Sequence, residues 1–310
     1  MYHYIRPTSG QGLDNFKYLR LSDFCHQLDY FQANFNLISL ASFQAILAGS
    51  LPIPSNAMVL TFDDGISDHY KYVFPELRKR GLWGCFYVPT MPFQHSKMLD
   101  VHRIHLLLGR WGGSYMMEEL RKIMDETMIP DERREDFRQL TDGNQQNTNE
   151  ETLFKRTLNY YISYKHRGSI LNELVKKCLP DEAAILPKFY INKAEIREMQ
   201  ESGMLIGSHS ISHPVFSKLE ESEQRAEILD SFQCLDEIVG GLKMRTFCYP
   251  YGGFHTFTKQ TEEILDEAKC SFSFNVESRD INLSDLEERP QALPRFDCNE
   301  FPNGKASTGP

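Results

Sequence analysis

A short apolar run over residues 57–60 ends in Thr61-Phe62-Asp63-Asp64-Gly65. Runs of this length bounded by a turn residue read as buried strands, so two adjacent carboxylates are delivered to a strand's C-terminal end. Neighbouring carboxylates repel, which raises the pKa of one of them unless a metal or an arginine absorbs the charge. A chain with this stretch needs a fold that brings positive charge to one strand end. Acidic residues also open turns, and Asp-Gly is a common turn dipeptide, so a plain turn is the competing reading of this stretch alone.

The surrounding pattern alternates between strand and helix. Residues 2–5 read as a first strand and 7–12 as a polar loop. Ser22 is placed to cap a helix in which Phe24, Leu28, Phe31 and Phe35 recur at helical spacing. Strands are predicted over 35–40 and 84–88, with helices over 42–47 and 70–80. From about 92 to 186 the pattern becomes polar and helical, over 116–124, 153–163 and 170–178, with a polar loop at 142–149. Alternation then resumes: helix 193–202, strand 204–207, helix 220–239, strand 246–249, helix 258–268 and strand 271–276. Seven or so βα-like steps imply an α/β architecture with a parallel sheet.

Composition narrows the function classes. A formal net charge of -9 over 310 residues argues against nucleic acid as a partner, and mildly against an anionic membrane surface. No run of 18 or more apolar residues occurs, so no integral membrane segment is expected. The first seven residues lack a basic region followed by an apolar core, which makes the cytoplasm the expected compartment. The seven cysteines are scattered and form no Cys-x-x-Cys pair, so they are expected as free, buried thiols.

Two further motifs fall at ends of later strands. His209 and His213 are four apart at a strand-to-helix junction and can aim both imidazoles at one point if the segment makes a helical turn, the spacing a divalent metal needs. Phe247-Cys248-Tyr249-Pro250-Tyr251-Gly252 is a β-rich run that stops at a Pro-Tyr-Gly turn. Backbone N–H groups of that turn, Tyr251's among them, are donors of the kind that hold an oxyanion.

Taken together and in this order, the three motifs resemble those of the NodB-type polysaccharide deacetylases, carbohydrate esterase family four; Phe86-Tyr87-Val88-Pro89 is similar to the family's second strand. The resemblance covers about residues 1–90 and 190–300. It implies an irregular (β/α)7 barrel formed by 1–91 and 190–302, interrupted by the helical insertion 92–189 and followed by a flexible tail at 303–310. It further implies Asp63 as general base, Asp64, His209 and His213 as metal ligands, and the Tyr251 N–H as a donor to the oxyanion formed when water attacks an amide. One carboxylate and two imidazoles leave positions open for water and substrate; zinc fits best, but the same set suits iron, with cobalt, nickel or manganese further options.

The sequence departs from the family pattern twice. Many members carry an arginine just before the Pro-Tyr-Gly turn to hold the base; that slot is Cys248 here, so Arg295 is the expected replacement, with Arg245 second. No histidine follows His255, so the late histidine that protonates the leaving amine is missing. His105, three residues from His102 on one helical face, is the preferred acid, and His69 another.

The expected function is a metal-dependent hydrolase that removes an N-acyl group, most simply acetyl, from an amino sugar on a surface-glycan precursor. The sugar would be nucleotide-linked, lipid-linked or part of an oligosaccharide. Competing readings are an inactive saccharide-binding pseudoenzyme and a deformylase of a lipid-linked amino sugar. The insertion is expected to be a lid that narrows the site, or else an element of a homo-oligomer.

Overall fold

The chain opens with two short parallel pairs: Ile5–Arg6 (β1) with Leu19–Arg20 (β2), and Asn36–Leu37 (β3) with Ala57–Met58 (β4). The main sheet follows in strict parallel order, Thr61–Phe62 (β5), Cys85–Val88 (β6), Leu205–Ser208 (β7), Thr246–Cys248 (β8) and Phe272–Phe274 (β9). Parallel bridges from Tyr2 to Phe62 and from Phe274 to Leu293 extend its two edges. In this computed structural model, which describes residues 1–7, 17–142 and 150–307, the result is a curled parallel half-barrel. Residues 8–12 and 143–149, within the two polar loops expected from sequence, lie outside the described residues.

Strands β6 and β7 are buried at every position. That continuous burial, without alternation, is what a parallel sheet covered on both faces produces. One of the covering helices, Leu21–Asn34, buries Phe24, Leu28 and Phe31 as the spacing predicts. It begins at Leu21 with no side-chain cap, so Ser22 lies in the first turn instead of capping it. The helix Glu221–Val239 buries Ile228, Phe232, Leu235 and Ile238, starts with a capping box between Glu220 and Glu223, and stops at Gly240 in the left-handed conformation. At the centre, Phe62 stacks on Phe86 with ring centroids 4.7 Å apart and on Tyr2 at 5.2 Å, which fixes the position of the residue after Phe62.

The described residues divide into two compact units, one built on Lys17–Lys97 and the residues from Leu186 onward, the other on Met98–Ile185. The second is helical. Its long helix Asp100–Ile123 breaks at Gly112, whose φ is 76°. At Gly113 a Cβ would sit 2.4 Å from the backbone nitrogen of Glu151, so glycine lets the helix Glu150–Arg156 approach at backbone distance. Arg103 pairs with Glu182 through both nitrogens of its fork, and Arg167 holds Asp100 at 2.7 Å.

The tail expected to be loose is ordered as far as Ser307, which exchanges both backbone hydrogen bonds with Tyr18; residues 308–310 lie outside the described residues. All seven cysteines are free thiols, although Cys25, Cys234 and Cys298 are only half-buried. Among the described residues no helix is long and apolar enough to cross a membrane.

Gly207 in β7 shows how tightly the sheet is packed. A Cβ there would meet the Tyr87 ring at 2.6 Å and the Thr246 methyl at 2.8 Å, and the Tyr87 hydroxyl is tied to Thr246 Oγ1 at 2.9 Å, so the ring has nowhere to swing. Gly207→Ala should therefore cost about 1–3 kcal/mol of stability, read as a lowered denaturant midpoint; an unchanged midpoint would mean that the ring yields.

Candidate active site

Strand β5 hands its two carboxylates to a turn. Successive strand residues point to opposite faces, so an extended Asp63-Asp64 pair would be split by the sheet. The structure avoids this by placing Asp64 in the left-handed region, φ 79°, followed by Gly65 at 56°. Asp63 is 2% and Asp64 4% exposed, so both charges need partners inside the protein.

Asp63 receives an arginine. Arg295 Nη1 donates to Asp63 Oδ1 at 2.9 Å and Nη2 to Oδ2 at 2.6 Å, a two-pronged pair that is itself buried. Further donations to Thr61 Oγ1 and to the Asn275 carbonyl, both 3.0 Å, fix the guanidinium plane. Burial alone would push the Asp63 carboxyl up; the adjacent Arg295 charge overrides it and holds the group well below the usual carboxylate range. Arg245, the other candidate, is engaged elsewhere, with Asp236 and the Ala268 carbonyl.

Asp64 faces the histidines. His209 Nε2 lies 3.4 Å and His213 Nε2 3.6 Å from Asp64 Oδ1, all three residues buried. Ligand atoms around a tetrahedral ion with bonds of roughly 2.0–2.1 Å are separated by roughly 3.3–3.4 Å, so this spacing fits a divalent cation. His209 Nδ1 lies 2.7 Å from the Cys248 carbonyl, which can accept only from a protonated Nδ1, so Nε2 is the nitrogen turned toward Asp64. The histidines converge without the expected helical turn: Ser210 and His213 instead take left-handed backbone, φ 64° and 58°.

Asp63, His209 and Cys248 form a second group of donor atoms close enough for an ion. Arg295 Nη2 stands 2.8 Å from Cys248 Sγ as well as on Asp63, so a positive charge already occupies that corner. The Asp64 side of the pocket is the one suited to a cation. Tyr251, φ 63°, sits across from it, its ring centroid 4.8 Å from that of His213.

A histidine that the sequence-based search did not consider, His3, lies near Asp63. The backbone of Tyr2 pairs with β5, Tyr2 N–H donating to Thr61 O and Asp63 N–H to Tyr2 O, both at 2.9 Å. The next residue, His3, thereby comes alongside Asp63, its Nε2 4.0 Å from Asp63 Oδ2 and its side chain 40% exposed. The available signal was the strand predicted over 2–5, since a first strand beside the Asp63 strand brings His3 to the same end. His69 is unsuited to act as the acid, being fully buried with Nε2 donating to the His3 carbonyl at 2.8 Å and its pKa lowered by burial to about 4. His102 and His105 lie on the helix Asp100–Ile123 of the helical unit, with ring centroids 6.2 Å apart.

Residues 169–272, which include both histidines and the Pro250-Tyr251-Gly252 turn, match the family described as polysaccharide deacetylase. Over that segment the chain is similar to the polysaccharide deacetylases. No curated protein matches it. The chain is similar in fold to a Streptococcus pyogenes deacetylase, PplD, determined with acetate: 15% identity, TM-score 0.56, 96% of this chain and 89% of that one covered. It is similar also to IcaB from Ammonifex degensii (20% identity, TM-score 0.55, 95% and 88% covered). A de-N-acetylase from Aggregatibacter actinomycetemcomitans matches at 13% identity and TM-score 0.53, with 95% and 92% covered.

His69 gives the protein a pH signature. An unfolded chain protonates this residue near 6.5 while the folded chain resists until about 4, so stability is full above about 6.5 and falls as pH drops through that window. The loss should total about 3 kcal/mol. His69→Gln, which keeps an N–H for the His3 carbonyl, should flatten the stability curve between pH 4 and 6.5 relative to the parent in chemical unfolding; parallel curves would show that His69 titrates normally.

Proposed function

We propose that the chain removes the N-acetyl group from an amino sugar carried on a precursor of a surface glycan, using a divalent cation, best zinc, held by Asp64, His209 and His213. The family match and the fold support a carbohydrate N-deacetylase. The observation that carries the rest is the division of the carboxylate pair: Asp63 locked on Arg295, Asp64 on the two imidazoles. A site that only bound an ion would need one acid; the second, oriented but not committed to the ion, is what hydrolysis adds.

When bound, the cation supplies Lewis-acid polarisation of the amide carbonyl and of the attacking water. Asp63 accepts the water's proton as the O–C bond forms, with Arg295 holding the carboxylate in line. The Tyr251 N–H donates to the oxygen that gains charge in the tetrahedral intermediate. The C–N bond then breaks and the amine nitrogen takes a proton, which His3 is placed to deliver from the solvent side of Asp63. The products are acetate and the free amino sugar.

Asp63→Asn should keep the metal content of the parent and lose turnover by about 10²–10⁴-fold, whereas His209→Ala or His213→Ala should lose both. Metal analysis beside an acetate-release assay on N-acetylated amino-sugar oligosaccharides reads this directly, and normal turnover in Asp63→Asn would remove the assigned base. His3→Ala should retain metal and lower kcat by a similar factor. If His105→Ala has that effect and His3→Ala does not, the acid comes from the helical unit. Formate release in place of acetate would redirect the reading to a deformylase.

A further inference from the structure

The turn that carries the two histidines is irregular, yet its backbone is held at every step by side chains. Ser210 N–H donates to Ser208 Oγ at 3.1 Å, Ile211 N–H and Ser212 N–H both donate to Glu227 Oε2 at 2.8 Å, and His213 N–H donates to Ser210 Oγ at 3.0 Å. Glu227 Oε1 also accepts from the Ser212 hydroxyl at 2.5 Å. From the same helix, Glu221–Val239, Ser231 Oγ meets Ser208 Oγ at 2.6 Å. On the other side the Ser210 and Ile211 carbonyls accept from Thr90 and Met91 N–H at 3.1 and 3.0 Å.

Two of the five residues from His209 to His213 are left-handed without being glycine, a conformation that persists only where the surroundings impose it. Glu227 supplies a charge among those surroundings, and it grips two consecutive N–H groups and a hydroxyl between the histidines. Charge-assisted bonds of this length are the strong ones. Without them two inward-facing N–H donors lose their acceptor, and the turn gains a reason to open.

We propose that Glu227 is a positioning residue of the cation site: by clamping Ile211 and Ser212 it presets the turn that aims His209 and His213 at Asp64. The proposal rests on the cation reading of that site. Glu227 touches neither ion nor substrate, so its effect belongs in metal affinity and not in chemistry.

The test is Zn2+ affinity of the full chain, measured by competition with a chromogenic chelator, in the parent, Asp64→Ala, Glu227→Gln and Ser212→Ala. Glu227→Gln keeps the shape but replaces one acceptor oxygen by an NH2 group. It should weaken Zn2+ binding by about 10–100-fold, the range for partners behind the ligand shell, and regain near-parental kcat at saturating Zn2+. Ser212→Ala, which removes only the hydroxyl arm, should weaken binding by less and serves alone if the Gln variant does not fold. Parental Zn2+ affinity in Glu227→Gln, or in Ser212→Ala should it stand alone, overturns the clamp. So does a kcat deficit in either variant that persists at saturation. A parent that binds no Zn2+, or an Asp64→Ala that binds as tightly as the parent, overturns the cation site and the clamp with it.

Discussion

Two anions on adjacent residues, shut away from water, set the terms for everything around them. Coulomb repulsion at this separation in a medium poorer than water in dielectric response is worth several kcal/mol, and the fold answers it from two directions. Arg295 comes from beyond the last strand to Asp63, and the imidazoles come from the turn after β7 to Asp64. Arg295 thus answers one of the two carboxylates, and the other lies where the Nε2 atoms of His209 and His213 converge. The three donor atoms gathered there could hold a metal ion. The left-handed backbone at Asp64 is the local concession that lets neighbouring side chains serve one cavity.

Cys248, beside the turn, is part of the same balance. The thiol is buried, and burial keeps it protonated by raising its pKa. It occupies little volume, which leaves room for a long side chain from elsewhere, and its sulfur takes one of the guanidinium contacts at 2.8 Å. The aromatic faces of Tyr87 and Phe274, 5.9 and 5.7 Å from the guanidinium carbon, complete the lining. An arginine from the segment after the last strand therefore reaches the Asp63 carboxylate.

Much of this was legible in the sequence because the chemistry-bearing residues sit at the ends of apolar runs, where strand and turn signals coincide. The alternation around Thr61, Cys85, Leu205, Thr246 and Phe272 implied the parallel order, and Arg295 stood out by its apolar neighbours and by the charge that Asp63 needs. His3 escaped because the strand that positions it contributes a single bridge, Tyr2 to Phe62, and periodicity cannot show which strand a two-residue ladder will join. The histidine turn was misjudged for a related reason. Spacing of four suggests a helix, but the partners that hold this turn open, Glu227, Ser231 and Thr90, lie elsewhere along the chain and leave no local mark. Ser22 failed as a cap because Leu21 already enters the helix, pulled by its apolar contacts with the core.

The counter-ion of Asp63 lies 232 residues downstream of it. During synthesis the strand bearing the acids emerges long before the arginine that makes their burial tolerable, so an incomplete chain carries an uncompensated charge where its core should close. The last segment thereby completes the first half, and a chain truncated ahead of residue 295 would leave the Asp63 carboxylate buried without its counter-ion.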